Sequence, residues 1–152
     1  MHIVNLLREM EAALREVFSE DVAIYKTRNN DEKKVLVRRG WEVARSEVRA
    51  PEVLLSPVKI SHDGEGWRAK ISIIAMAYDR AEDGSGWEDV ALMLERVRDW
   101  LLSGATGGVI SPIPTSVEVS FPDEMPYPLW LGELKVDLYL LDPLSWGGKE
   151  FS

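Results

Sequence analysis

The sequence has no cysteine and only two histidines, His2 and His62. The absence of cysteine excludes disulfides and thiolate metal ligands. His2 lies near the N-terminus and His62 in a turn, and the G-x-S-x-G elbow of serine hydrolases is absent, so nothing supports a Ser-His-Asp site. We interpret His62 as a polar residue of a hairpin turn. We therefore expect no catalytic residue, no cofactor and no metal site.

Long apolar runs are also missing. No run approaches the roughly 18 residues that indicate a membrane helix, and the N-terminus lacks the pattern of a secretory signal. We therefore expect neither a membrane span nor export. The 152 residues are 45% hydrophobic and 29% charged, which is ordinary for a globular chain that forms one domain with a sizeable core.

Glycine-rich and acidic motifs fail at their defining positions. Gly84-x-Gly86 is followed by Asp89 where a dinucleotide-binding fingerprint needs a third glycine. Gly147-Gly-Lys149 lacks the upstream glycine and the following Ser or Thr of a phosphate-binding loop. The turn that starts at Asp79 has Val90 where a calcium loop needs a bidentate glutamate. We interpret it as a turn whose carboxylates accept hydrogen bonds from backbone amides.

Charge is distributed unevenly along the chain. The net charge is −8, which argues against free nucleic acid as a ligand of the outer surface. Residues 26–49 nevertheless contain eight basic and four acidic residues, so this segment carries +4 and the remainder −12. The segment is interpreted either as a solvated loop or as an arm that docks on an acidic protein surface.

The strongest structural signal lies in residues 67–104. Residues 67–78 predict a strand that is apolar on both faces at one end, which is typical of a central strand. Residues 87–102 predict an amphipathic helix, and Ser85 and Glu88 before and within it have the spacing of a capping box. The apolar face of this helix comprises Trp87, Val90, Leu94, Val97 and Leu101.

Weaker patterns predict the remaining elements. A first helix spans about residues 3–18, with Glu11 and Arg15 paired on its solvent side, and a short strand follows at 22–27. Residues 52–61 predict a strand in which Pro57 requires an edge or a bulge. A turn at 62–66 joins it to the central strand. Two more strands are predicted at 115–121, with Val117, Val119 and Phe121 facing inward, and at 130–140.

This order, α-β-(arm)-β-β-α-β-β, predicts an α+β domain with a mostly antiparallel sheet of four to five strands and two main helices on one face. The domain spans residues 1–142 and bears a protruding arm at about 29–50. Residues 143–152 are expected to form a flexible tail. Aromatic side chains that lie outside any periodic apolar face are enriched at protein interfaces. The alternative is that Trp41 and Trp146 each fold back on their own domain. The candidate interface residues are Arg38, Arg39 and Trp41 in the arm and Trp146 and Phe151 in the tail.

Five sequence features occur along the chain in an order that is typical of one protein family. After the opening amphipathic helix come Pro51-Glu-Val-Leu-Leu before the hairpin, Ala77-Tyr-Asp79 at a strand end, Gly86-Trp-Glu-Asp-Val90 at a helix start and Leu129-Trp-Leu-Gly-Glu133 at the start of the last strand. In this order and spacing, residues 1–142 resemble the tail-terminator, or tail-completion, proteins of long-tailed bacteriophages and prophages, a class of minor tail protein.

The resemblance implies a non-enzymatic virion protein that is assembled in the bacterial host cytoplasm. Such proteins form a ring, usually a hexamer, that caps the tail tube, ends its polymerisation and offers a surface to the head-completion proteins at the head-tail connector. DNA passes through the lumen without being read. The alternative is a small-ligand or peptide-binding domain that uses the sheet face without helices, which a deep apolar pocket beside Ile74 and Met76 would favour.

Overall fold

The computed structural model describes residues 3–19, 25–26, 32–33, 35–40, 51–62, 64–80, 82–103 and 112–140. The elements are α1 (Ile3–Ser19), β1 (Tyr25–Lys26), β2 (Glu32–Lys33), β3 (Leu36–Arg39), β4 (Glu52–His62), β5 (Trp67–Tyr78), α2 (Trp87–Leu102), β6 (Pro112–Ser120) and β7 (Leu129–Leu140). Neither of these two helices is long and apolar enough to cross a membrane.

Five strands form one mixed sheet in the order β3-β4-β5-β7-β6. Its neighbours are antiparallel except for β3 and β4, which run parallel. β1 and β2 pair antiparallel in a separate two-stranded ladder. The predicted α+β class and mostly antiparallel sheet are confirmed, and the strand predicted over 22–27 corresponds to β1, which lies outside the main sheet.

Both helices pack on the same face of the main sheet. Alternate residues of the central strands β5 and β7 point toward the helices and join the buried residues of α1 and α2 in one hydrophobic cluster. Each large side chain that is buried there contributes about 1.5–3 kcal/mol. Fully buried members of this cluster include Leu6, Leu14, Phe18, Ile71, Ile73, Met93, Leu94, Leu101 and Leu134.

Pro57 lies in β4 where the sheet can accept a proline. β3 pairs with the segment from Glu52 to Leu55, and no other described strand pairs with the rest of β4 on that side. The register between β4 and β5 also shifts between Pro57 and Lys59. A proline has no N–H to donate to a neighbouring strand, and the register shift confirms the bulge, one of the two predicted accommodations.

The predicted arm at 29–50 is wrong for residues 35–40. Leu36 N–H donates to Pro51 O at 3.0 Å and Gly40 N–H donates to Leu55 O at 2.7 Å. Val37 is only 1% exposed. These residues are therefore part of the main sheet, and residues 41–50 lie outside the described part of the chain.

The predicted capping box is also wrong. α2 has Gly86 as its N-cap residue, and no side chain caps it. Ser85 contributes its carbonyl oxygen, which accepts a hydrogen bond from Glu88 N–H at 3.0 Å. The Ser85 N–H donates to Asp83 Oδ1 at 3.0 Å. The serine is thus held by the preceding turn, and the acidic first turn of α2 complements the helix dipole without a box.

The inward faces of α2 and β6 differ from the prediction. α2 buries Met93 and Trp100 in addition to four of the predicted residues, whereas Trp87 remains largely exposed. In β6, Val117 packs against the core, but Val119 does not reach it and remains exposed. The reason is the position of α2, which lies mainly over β5 and β7 and covers the edge strand less.

Candidate protein-interaction surface

β6 is the long exposed edge of the sheet. It pairs with β7 on one side, and the described residues pair nothing with its other side. Pro112 and Pro114 have no N–H and protect the start of this edge. From Thr115 to Ser120 no proline or lysine interrupts the strand. An edge of this kind exposes unpaired backbone donors and acceptors that a further strand can use.

An apolar patch lies at the end of this edge. Val119, Phe121 and Trp87 are 40%, 42% and 47% exposed, respectively. The rings of Trp87 and Phe121 meet edge to face, with their centroids 6.4 Å apart. We call these three residues the β6 patch. Exposed aromatic and β-branched side chains beside an open strand edge are typical of a protein-interaction surface.

Two glycines allow the elements around the β6 patch to pack closely. A Cβ atom on Gly132 of β7 would lie 2.8 Å from side-chain atoms of Val90 and Leu94 and 3.0 Å from the ring of Phe121. A Cβ atom on Gly86 would lie within 2.5 Å of the indole of Trp130. α2 and Phe121 can therefore approach the sheet only because these positions have no side chain, and this approach places Trp87 beside Phe121.

The surroundings of the β6 patch are acidic. The register places the end of β5, the start of β7 and the end of β6 at the same end of the sheet, and α2 also starts there. The exposed acidic residues at this end are Glu82, Asp83, Glu88, Glu118, Asp123 and Glu124. Two basic residues are also exposed there, Arg80 and Lys135, the latter opposite Glu118 on β7. A basic partner surface would therefore be attracted to this end of the domain.

Two side chains hold the acidic turn against the sheet. Trp130 Nε1 donates to Asp79 O at 3.0 Å, and the Tyr127 hydroxyl donates to Arg80 O at 2.5 Å. Within the turn, hydrogen bonds from the Ser85 hydroxyl and the Ser85 N–H hold the pKa of Asp83 below its ordinary value. The prediction of a turn whose carboxylate accepts from backbone amides is confirmed at Asp83.

At the opposite edge of the sheet, β3 contacts α1, which binds one of its outward backbone groups. Leu36 and Gly40 direct their N–H groups toward β4, so Val37 between them directs its backbone groups outward. The Val37 carbonyl accepts from Arg15 Nε at 3.3 Å. Arg15 also pairs with Glu11 at 3.1 Å, and Arg39 pairs with the same carboxylate. Glu11 was predicted on the solvent side, but it is 6% exposed because these two arginines cover it.

A second ion pair lies on the other face of β3. Arg38 Nε donates to Glu52 Oε2, and Glu52 is fully buried. Its other oxygen, Oε1, has no hydrogen-bond partner. A buried carboxylate is tolerated when a cation neutralises it, and it destabilises the fold when the cation is removed. Arg38 therefore has a structural role at this edge.

The five predicted interface residues are not brought together by the described structure. Arg38 and Arg39 lie next to each other on β3 but point to opposite faces of the sheet, where each is engaged in an ion pair within the chain. Trp41, Trp146 and Phe151 lie outside the described residues. Their role at an interface stays a prediction.

The sheet face without helices has two adjoining open cavities. One, of about 290 Å³, is lined by Ile74, Ser120, Phe121, Pro122, Leu131, Gly132 and Glu133. The other, of about 430 Å³, shares Ile74 and Glu133 with it. In the larger cavity, the Ser72 hydroxyl donates a hydrogen bond to Glu133 Oε2 at 2.5 Å. These cavities lie beside Ile74, as the alternative function requires, but Met76 lines neither and both are open to solvent.

The sequence did not identify the β6 patch as exposed. Its three residues follow apolar periodicity, which predicts burial regardless of whether a neighbouring element covers them. The sequence did contain one signal that this strand lies at an edge of the sheet, namely Pro112 and Pro114, since proline within a strand favours an edge position. In an edge strand, valines that face the helices can remain exposed, because the helices need not extend over the edge of the sheet.

No protein-family model matches the sequence, and no curated protein matches it. Among the described residues, no three His, Asp or Glu side chains lie close enough together to share a metal ion. His62, predicted in the hairpin turn, is the exposed last residue of β4, and its Nδ1 accepts from Gly64 N–H at 3.1 Å. The geometry of the surface, rather than a relative, is therefore the basis for a functional proposal.

Proposed function

We propose that this chain is a non-enzymatic structural protein of a bacteriophage or prophage that forms a ring on the end of the tail tube. The ring ends tube polymerisation and offers a surface to head-completion proteins, and DNA passes through its lumen. Its place is the virion, after assembly in the host cytoplasm. The β6 patch beside the open strand edge carries this proposal, because a cyclic ring needs an uncovered surface that is repeated in every copy.

The stretches that carry the family resemblance support the same surface. Ala77 to Asp79 ends β5, Gly86 to Val90 opens α2, and Leu129 to Glu133 begins β7. These three stretches meet at the end of the sheet that bears the β6 patch, where Trp130 contacts Asp79. The net charge of −8 also suits a lumen through which DNA passes, since like charges do not adhere.

Sedimentation velocity over a wide range of protein concentrations tests this proposal, together with electron microscopy of the same samples. We expect a closed oligomer near six chains, with a central opening and no larger species. If the protein stays monomeric, it is mixed with purified phage tail tubes and the tube ends are imaged. A protein that neither forms rings nor caps tubes contradicts the proposal.

The second candidate function is binding of a peptide or small ligand on the open sheet face. The two adjoining cavities beside Ile74 support it. Replacing Ser72 with Trp would fill the floor of the larger cavity, while Val58→Trp changes its exposed rim. Screening an extended-peptide library against the wild type and both variants tests this function. Binding that Ser72→Trp abolishes supports it, and a wild type that binds no peptide contradicts it.

A further inference from the structure

We infer that β6 of one copy of this chain pairs antiparallel with the half of β4 that β3 does not cover in the next copy. We call this half, Val58 to His62, the β4 half-edge. The contact repeats head to tail, so the inference rests on the proposed ring and names the two edges that form it. Four observations carry it: outward backbone groups on both strands, compatible strand directions, exposed apolar side chains that meet, and opposite charge.

β6 directs the backbone groups of Val119 away from the sheet. The Thr115 hydroxyl donates to Asp137 O at 3.3 Å, so the odd-numbered residues of β7 face β6. Glu118 is paired with one of these, Lys135, and therefore bonds to β7. Alternate residues of an antiparallel strand face opposite neighbours. The N–H and C=O of Val119 therefore point outward, where another strand can bind them.

The β4 half-edge also has an outward-facing residue. Gly40 N–H donates to Leu55 O at 2.7 Å, so the next residue of β4, which is paired with Ser72, faces β5. Beyond the bulge, the residue of β4 that is paired with Lys70 faces β5 as well. Ile60 follows it and therefore faces outward. Among the described strands, none pairs with this side of the β4 half-edge.

Strand direction is compatible with pairing between copies. β4, β5, β7 and β6 alternate in direction, so β4 and β6 run opposite to each other. Within one copy they are three strand spacings apart, which is about 14 Å, so a contact between them requires two copies. Shifting a copy sideways along its sheet brings its β4 toward the neighbouring β6 in antiparallel orientation, with the helices of both copies on the same side.

β3 limits where along β4 the neighbour can pair. It occupies the outer side of β4 from Glu52 to Leu55, so β6 of the next copy can use the β4 half-edge. Placing Val119 opposite Ile60 joins two outward-facing residues there. Within one copy the register places these two residues four positions apart along β7, so successive copies are displaced by about 13 Å along the strands. Tilted strands in a closed barrel have a stagger of this kind.

Exposed apolar side chains meet in this register. Val119 is paired with Leu134 and Ile60 with Ala69, and both of these partners belong to the hydrophobic cluster between the sheet and the helices. Val119 and Ile60 point to the same face, yet they are 40% and 45% exposed. Directly opposed side chains of this kind stabilise a strand pair. Each edge therefore covers an apolar residue that the other edge leaves exposed.

Charge favours this pair of edges over two β6 edges. Exposed acidic residues predominate around the β6 patch, so two β6 edges would bring acidic surfaces together, which is unfavourable. At the β4 half-edge the exposed charged residues in the described part of the chain are Lys59, Arg68 and Glu65, so basic residues predominate. The register places Lys59 diagonally beside Glu118 of the neighbouring copy, which is a favourable cross-strand arrangement.

Cysteine crosslinking tests the register, because the chain has no cysteine of its own. Glu118 of one copy should lie opposite Ser61 of the next, on the face without helices. Glu118→Cys is mixed with mass-tagged Ser61→Cys, oxidised, and analysed by non-reducing gel electrophoresis for the covalent heterodimer. Ile60→Cys replaces Ser61→Cys as the matched control, since its side chain is one residue away but on the other face of the sheet. A disulfide needs Cβ atoms roughly 3.5–4.5 Å apart, so the control should give at least about tenfold less heterodimer.

The apolar part of the contact is tested with Val119→Lys. The control is Leu92→Lys, because Leu92 is 49% exposed on α2, which lies mainly over the central strands β5 and β7. Sedimentation velocity should show that Val119→Lys raises the dissociation constant of the oligomer at least about tenfold, since it replaces the contact with Ile60 by a charge next to Lys59. Leu92→Lys should leave the constant unchanged.

The outcomes separate this inference from the proposed function. Crosslinking is carried out on the assembly that the wild type forms, in solution or on tail tubes. Equal heterodimer yields with Ser61→Cys and Ile60→Cys, or equal effects of Val119→Lys and Leu92→Lys, overturn the named edges and leave the ring proposal intact. Specific crosslinks in open filaments support the edges and contradict the ring. A wild type that neither assembles in solution nor caps tail tubes overturns both.

Discussion

The two edges of the five-stranded sheet differ in how they end. β3 is a short parallel strand whose outward carbonyl at Val37 is bonded by Arg15 and whose arginines are paired with buried carboxylates. β6 is a longer antiparallel strand in which Val119 remains exposed, as does Phe121 just after it, beside an acidic surface. Natural sheets protect their edges against pairing with other chains. Within the described ranges, β3 thus has a backbone contact with α1 on its outer side, whereas no described strand pairs with the outer side of β6.

The largest effect should come from breaking the buried ion pair of β3. Arg38→Met leaves the carboxylate of Glu52 buried without its cation, which should lower the free energy of unfolding by roughly 3–5 kcal/mol. The double variant Arg38→Met/Glu52→Met should recover most of this loss, since no charge then remains buried. Urea denaturation measures both. Equal stability of Arg38→Met and the wild type would contradict a structural role for this pair.

At the open edge, the corresponding weak point is packing. Gly132→Ala places a methyl group against Val90, Leu94 and Phe121 and should destabilise the domain by about 1–3 kcal/mol. Ser116→Ala, an exposed change on β6, is the control and should stay within about 0.5 kcal/mol of the wild type. A tolerated Gly132→Ala would show that α2 and Phe121 can move away without loss. Urea denaturation again gives both values.

A smaller effect is expected from the ion pair between Arg39 and Glu11. Arg39→Ala removes one of the two arginines that bind this buried carboxylate, and Arg15 still holds it, so the loss should be about 1–2 kcal/mol. Arg98→Ala breaks an exposed pair with Asp99 and should change stability by less than about 1 kcal/mol. Thermal unfolding at low salt distinguishes the two. A loss for Arg98→Ala as large as that for Arg39→Ala would contradict this ranking.

The smallest effect concerns the acidic turn near the β6 patch. Hydrogen bonds from Ser85 lower the pKa of Asp83 in the folded state. The stabilisation from this carboxylate is therefore present above its pKa in the unfolded chain and is lost as the pH falls through the lower, folded pKa. Ser85→Ala should raise the pKa of Asp83 toward its ordinary value. An NMR titration of the carboxyl carbon measures the shift, and an unchanged pKa would contradict the role of the serine hydroxyl.

Several elements were predictable because their signal lies within one segment. β7 carries Trp130, Leu134 and Val136 on one face and mostly polar residues on the other, and the structure buries the first face and leaves the second half-buried. The hairpin of β4 and β5 follows from the Asp-Gly turn and the alternation on either side of it. Periodicity specifies which side of a strand or helix is apolar, and the central elements have partners that cover that side.

The candidate surface was less predictable, because exposure at an edge depends on other segments. Trp87, Val119 and Phe121 have the pattern of core residues, and only the placement of α2 over β5 and β7 leaves them uncovered. Likewise, Glu11 follows a helical pattern that predicts a solvent-facing residue, and the arginine that helps to bury it is distant in the chain. Arg38 and Arg39 were predicted as interface residues, which stays a prediction, and the sequence did not indicate that both side chains have acidic partners within the chain.

Local order in this protein follows from the sequence: two amphipathic helices, the alternating central strands and the separation of basic from acidic segments along the chain. These features need only neighbouring residues and the burial of apolar surface. The tertiary structure alone decides that β3 joins β4 in parallel, that Arg38 and Arg39 neutralise buried carboxylates 14 and 28 residues away, and that β6 ends the sheet. The physical reason is that cover, charge pairing and edge position are relations between segments, which no single stretch of sequence contains.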